Sequence, residues 1–305
     1  MGNTESLNEN IITTEMQSSQ QNTYYHPKYN LLPSFTNINE IIYTKQALID
    51  KFNLQSKESE YEDLRNNFPN IIDIDRFPFN PIASVSYVIH YSLLKNKLPV
   101  FPPSMMYIYK NLAFYKNNNS LMNFQVIFNS IRSYGFCSEN EFRTNIDNLN
   151  SEITTSLLNK SLSFKFLNIY KISNDIDSIK ILLQNKFPIL IGFTLFNNLI
   201  NITDKILMPD KERDTPLGGL SGVIVGYIES QQNFILALTF GEHFGNSGFI
   251  SIPYEYITNY TFELFVLDID YDRVIGNINQ KKNMVKLDSN VNTAYNNDMF
   301  TSLFS

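Results

Sequence analysis

The sequence predicts an α+β chain in which a helical half is followed by a β half of antiparallel strands. Two observations predict it. Behind Asn80 the apolar residues Ile82, Val85, Val88/Ile89 and Leu93 recur at helical spacing, and a second series, Leu121, Phe124, Ile127/Phe128 and Ile131, follows. From Pro216 to Ile257, three short apolar runs, Gly222–Tyr227, Phe234–Phe240 and Phe249–Ile252, are separated by glycine-rich turns. That is the pattern of buried strands joined by tight connections.

The elements follow in order. Residues 1–24 are polar and carry no aromatic before Tyr24, so an arm is expected, and it extends to residue 60 with one helix around Asn39–Phe52. Asn80 and Pro81 suit the N-cap and first position of a helix. Further helices are expected at Ser120–Cys137 with Gly135 as the stop and at Asn174–Asn185. Strands are expected at Phe164–Ile172, Phe187–Phe196 and Phe262–Ile269, with a charged, exposed loop at Pro209–Arg213. The organisation is then an arm over 1–60, a main domain over 61–270 (helical half about 80–160, β half about 164–270) and a polar tail over 271–305.

Composition narrows the function. The chain has 305 residues, 43% of them hydrophobic, enough for a large core. A net charge of −6 argues against a general nucleic-acid binder, which needs a basic face. No apolar run approaches the roughly 20 residues that span a bilayer, and the polar N-terminus offers no secretory core. A single cysteine, Cys137, leaves no internal disulfide and fits a reducing compartment. The first residues, Met-Gly-Asn-Thr-Glu-Ser, match the N-myristoylation pattern at Gly2, with Ser6 at the hydroxyl position. One myristoyl chain binds membranes marginally. The arm carries Glu5, Glu9 and Glu15 and no Lys or Arg before Lys28, so the second signal is expected from protein contacts in an assembly.

Several stretches resemble papain-like cysteine peptidases of the bacterial and large-DNA-virus type. Gly218, Gly219, Val225, Gly226 and Tyr227 keep the frame of G-G-H-A-V-x-x-V-G-Y. Phe240-Gly241, Phe244-Gly245 and Gly248-Phe249 keep that of W-G-x-x-W-G-x-x-G-Y. Asp63-Leu64-Arg65, Phe68-Pro69, Ile71 and Asp73 resemble the opening D-L-R-x-x-F-P-x-V-x-D, and Pro103-Ser104 and Tyr134–Glu139 resemble later motifs in the right order. The resemblance covers about residues 61–270 and implies the papain-like fold, a helical half packed on an antiparallel β-barrel-like half. It also implies where the family's chemistry would fall. The nucleophilic Cys falls on Asn80, the His on Leu220, the Asn on Leu238 and the oxyanion Gln on Ile74. A register slip of four puts Ser84 at the Cys place. Cys137 falls at a non-catalytic position of the family.

A thiolate mechanism needs nucleophile, base, orienting group and oxyanion donor together. With all four positions altered, the expectation is a chain that is not an enzyme, in which Leu220 and Leu238 fill the former site, each contributing about 1.5–3 kcal/mol by burial. The histidines His26, His90 and His243 supply no second constellation, and Asp73 with Asp75 reads as a turn. No metal spacing, phosphate loop or dinucleotide motif appears, so no cofactor, nucleic acid or small-molecule substrate is expected. The leading reading is a papain-like pseudoenzyme acting as a lipid-anchored scaffold, cytoplasmic or membrane-associated, with protein partners in an assembly such as the virion of a large DNA virus. The alternatives are a peptide-binding adaptor or inhibitor that uses the cleft, and an enzyme with a relocated nucleophile, Cys137 or a serine.

Overall fold

The computed structural model describes residues 31–34, 40–74, 77–112, 122–198 and 204–280. Gly2, His26 and Asp75 lie outside them, as do Ser120 and Leu121 and residues 281–305.

The sheet is built around β5 (Pro216–Ile228). The other strands are β1 (Ile42–Tyr43), β2 (Tyr61–Asp63), β3 (Leu167–Ile172), β4 (Ile189–Phe196), β6 (Asn233–Ala237), β7 (Phe249–Pro253) and β8 (Thr261–Ile269). Their order is β1-β3-β8-β4-β5-β6-β7, with β2 on the far end of β5. All pairs are antiparallel except β1 with β3. The last strand in sequence therefore sits between β3 and β4. Irregularities at Gly192/Phe193, Leu195/Phe196 and Ile224/Gly226 interrupt the register, the positions at which a sheet gains twist and curls.

The central helix α2 (Asn80–Lys95) is buried without a break from Asn80 to Ile89, which is why it reads as apolar on more than one face. Ahead of it lies α1 (Lys45–Phe52); after it come α3 (Met105–Leu112), α4 (Phe124–Tyr134) and α5 (Thr155–Ser161). The rest are α6 (Ile176–Gln184), α7 (Tyr254–Tyr260) and a helix at 271–280. Side-chain caps set several starts. Thr44 accepts from the Ala47 amide, Asn123 from that of Val126 and Asp175 from that of Ser178. Gly135 ends α4 at φ +70°, and a Cβ there would stand 1.9 Å from the Ser161 carbonyl oxygen, so only glycine fits.

Some boundaries differ from the sequence reading, each for a local reason. Helix around Asn39–Phe52 shortens to α1, because Ile42 and Tyr43 pair with Lys171 and Ile172 of β3. The α4 cap is Asn123. Asn80 is not the N-cap of α2: the helix begins at Asn80 with Phe79 before it, and Asn80's side chain is engaged by the sheet instead. Residues 271–280 form a helix whose Val274 is fully buried in the core, where a polar tail was expected.

Candidate functional site

The N-terminus of α2 meets β5 and the segment after β6 at a buried polar cluster. Asn80 is 1% exposed. Its Oδ1 accepts from the Ser221 amide at 2.8 Å and from Ser221 Oγ at 2.8 Å. Its Nδ2 donates to the Ser221 carbonyl at 3.1 Å and to Thr239 Oγ1 at 2.9 Å. Ser84, one turn further along α2, places its Oγ 2.8 Å from Ser221 Oγ. Ser84, Ser221 and Thr239 are all 0% exposed. Desolvating an amide and three hydroxyls is costly unless each finds a partner, and here every polar atom of Asn80 does.

The four positions carried over by resemblance lie around this cluster. Asn80 is its centre. Ile74, 4% exposed, donates its amide to the Thr239 carbonyl at 3.3 Å. Leu220 and Leu238 are buried at 1% and 2%, yet the side chains that reach Asn80 are those of Ser221 and Thr239, one residue beyond each. Successive side chains of a strand point to opposite faces, so Ser221 meets the helix and Leu220 does not share its face. Ser221 and Thr239 were missed in the sequence. Their signal was a hydroxyl standing in an otherwise apolar run beside each leucine.

A second feature lies across the same junction. Residues 31–34 run extended between the two halves. Leu31 donates its amide to the Gly219 carbonyl of β5 at 3.2 Å, and Leu32 donates to the Met122 carbonyl, ahead of α4, at 2.8 Å. Ser34 Oγ donates to the buried Glu263 at 3.1 Å. Leu31 is 1% exposed; Cβ atoms on Gly192 and Gly219 would collide with it, at 2.9 Å from its Cδ2 and 2.0 Å from its carbonyl oxygen. The two glycines are what let the segment seat.

The remaining candidates are separate. Cys137 is buried, and burial, with Glu141 adding to it, pushes its thiol up to about 12. His243 is exposed, with Nδ1 3.9 Å from Asp73 Oδ2. His90 is half-buried on α2, and burial lowers its pKa. Among the described residues no group of three His, Cys, Asp or Glu is arranged to hold a metal ion, and no helix is long and apolar enough to cross a membrane.

No family model matches the chain. It is similar to an uncharacterized peptidase C1-like protein of Acanthamoeba polyphaga mimivirus, 24% identical over 233 residues, which is 69% of this chain and 74% of that protein. Among solved structures, xylellain, a cysteine protease from Xylella fastidiosa, superposes with a TM-score of 0.71 at 20% identity, covering 82% of this chain and 98% of xylellain. Digestive procathepsin L2 of Tenebrio molitor larval midgut gives a TM-score of 0.61 at 13% identity, over 87% of this chain and 90% of its own. The fold is that of the papain-like cysteine proteases, an α+β architecture.

These names correct one expectation. The substituted positions led to a chain that is not an enzyme. The proteins it is similar to are named cysteine proteases and a peptidase-like protein, which point to protease, so that expectation does not stand. Its basis was residue identity at one cluster, whereas the likeness extends over most of the chain.

Proposed function

We propose that the chain is a structural component of a membrane-associated assembly, anchored by a myristoyl chain on Gly2 and held in place by protein partners, with the particle of a large DNA virus as its setting. The observation that carries this reading is the Asn80 cluster. All five of its hydrogen bonds cross from the helical half to the β half, so these buried polar residues at the junction fasten the two halves together. A fastening of that kind suits a part that is built into an assembly. The anchor rests on the Gly2 pattern, and the marginal hold of one acyl chain is what makes partner contacts necessary. Similarity to a mimivirus protein supports the viral setting. The test is fractionation of native material. Recovery with membrane-bearing particles is expected. Recovery in the soluble fraction alone displaces the reading.

One observation favours a second reading, a peptide-binding adaptor or inhibitor. Residues 31–34 already lie extended between Gly219 and Met122, so the junction accepts backbone from both sides. On this reading a foreign peptide takes that seat. Leu31→Asp, which puts a charge where Leu31 is 1% exposed, is then expected to free the seat and raise affinity for extended peptides; unchanged affinity counts against it.

A further inference from the structure

Away from the junction, an open cavity of about 290 Å³ lies between the C-terminal end of α4, the start of β3 and the first turn of helix 271–280. Its lining is Arg132, Lys165, Phe166, Leu167, Asn168 and Arg273. Three elements distant in sequence thus bring three cations to one depression, in a chain whose net charge is −6.

The cations are not spent on one another's neighbours. Arg132 and Lys165 form no ion pair among the described residues, and Arg132 makes only a long contact, 3.5 Å, from Nε to the Leu167 carbonyl. Arg273 has one acid, Asp270, at 3.4 Å from its Nε. That carboxylate is shared, since it also accepts the Arg273 amide at 3.1 Å and so caps the helix. A second nearby acid, Asp268, accepts from Asn96 at 3.5 Å; burial raises its pKa, only partly offset by that bond and by Lys95. Three cations line the cavity, and only Arg273 has an ion-paired carboxylate among the described residues. Burial lowers the Arg132 guanidinium, with no carboxylate offsetting it. The Phe166 ring stands within reach of the other two cations, its centroid 5.8 Å from Lys165 Nζ and 6.0 Å from Arg273 Cζ.

We propose that this cavity is a binding site for a phosphate-class anion: Arg132 and Arg273 supply planar forks that match phosphate oxygens, Lys165 a point charge, and Asn168 an amide donor. The volume is at the low end for ligand pockets, so the ligand is one small phosphorylated group, either a soluble phosphate ester or the headgroup of a phosphorylated lipid. The site is independent of the Gly2 anchor, and its failure would leave that reading untouched.

The test is calorimetric titration of the full, unacylated chain with inorganic phosphate and with inositol phosphate, beside Arg132→Gln and Lys165→Gln. Saturable binding is expected, weaker by about tenfold in each variant, as the loss of one charge-assisted contact predicts, and weakened further by added salt. Arg132 is exposed and Lys165 partly exposed, so both variants are expected to fold. No saturable binding of either anion, or binding that Lys165→Gln retains in full, overturns the proposal. Flotation with phosphatidylcholine vesicles, with and without phosphatidylinositol phosphate, names the source. Retention that needs both the phosphoinositide and Lys165 assigns a lipid headgroup. Soluble binding without retention assigns a free phosphate ester.

Discussion

At the residue scale, Asn80 carries a structural load out of proportion to its size. Its amide answers the Ser221 amide, hydroxyl and carbonyl and the Thr239 hydroxyl at once, in a buried place. Asn80→Ala leaves buried donors unmet, and a loss of about 2–4 kcal/mol is expected in urea unfolding, with the m-value unchanged. Glu263 is the opposite case, a buried group incompletely answered. Burial raises its pKa, only partly offset by the Ser34 hydroxyl and by Lys171, which stands 3.5 Å away while hydrogen-bonding Glu40 at 2.7 Å. A carboxyl raised by folding binds its proton more tightly in the folded state. Its contribution to stability is therefore complete below the ordinary carboxylate range and is lost as pH rises through the raised value. Melting temperatures followed from about pH 4 to pH 7 are expected to carry that slope in the native chain and to lose it in Glu263→Gln. An unchanged slope would assign the titration elsewhere.

At the element scale, the close approach of α4 to α5 depends on Gly135. Both its φ of +70° and the 1.9 Å clash that a Cβ would make with Ser161 oppose any side chain. Gly135→Ala is expected to cost about 2–4 kcal/mol, read as a drop in melting temperature, because strain and overpacking act together. Elements of this kind were legible in the sequence. Gly135 closes an amphipathic run, and the glycine-flanked apolar runs after Pro216 became β5, β6 and β7. What was not legible is whatever depends on partners distant in the chain. Asn80 has the composition of a cap, and only the presence of Ser221 across the junction turns it toward the sheet. Ile42 and Tyr43 follow a helical pattern, yet β3 offers them a ladder. Leu220 and Leu238 fell where motif spacing put them, while the contacts to Asn80 come from the residue after each: strand alternation turns Ser221 of β5 toward the helix, and Thr239 reaches it from the bend after β6. The seat of residues 31–34 had no signal beyond Gly192 and Gly219, whose missing side chains are meaningful only once Leu31 lies on them.

At the scale of the whole molecule, the chain keeps the architecture of papain-like proteases and uses its central junction as a joint. The helical and β halves are tied at the Asn80 cluster and bridged again by residues 31–34. A two-way joint of this kind makes the halves unfold together, and the cation-lined cavity between α4, β3 and helix 271–280 gives the same body a place for an anion. The account of it as an anchored component of an assembly turns on the chemistry of Gly2. Mass spectrometry of the N-terminal peptide from native material, recorded with the fraction it came from, tests that most directly. The account predicts myristate on Gly2 in a particle or membrane fraction. An unmodified N-terminal peptide from a soluble fraction would contradict it and leave the peptide-seat reading in its place.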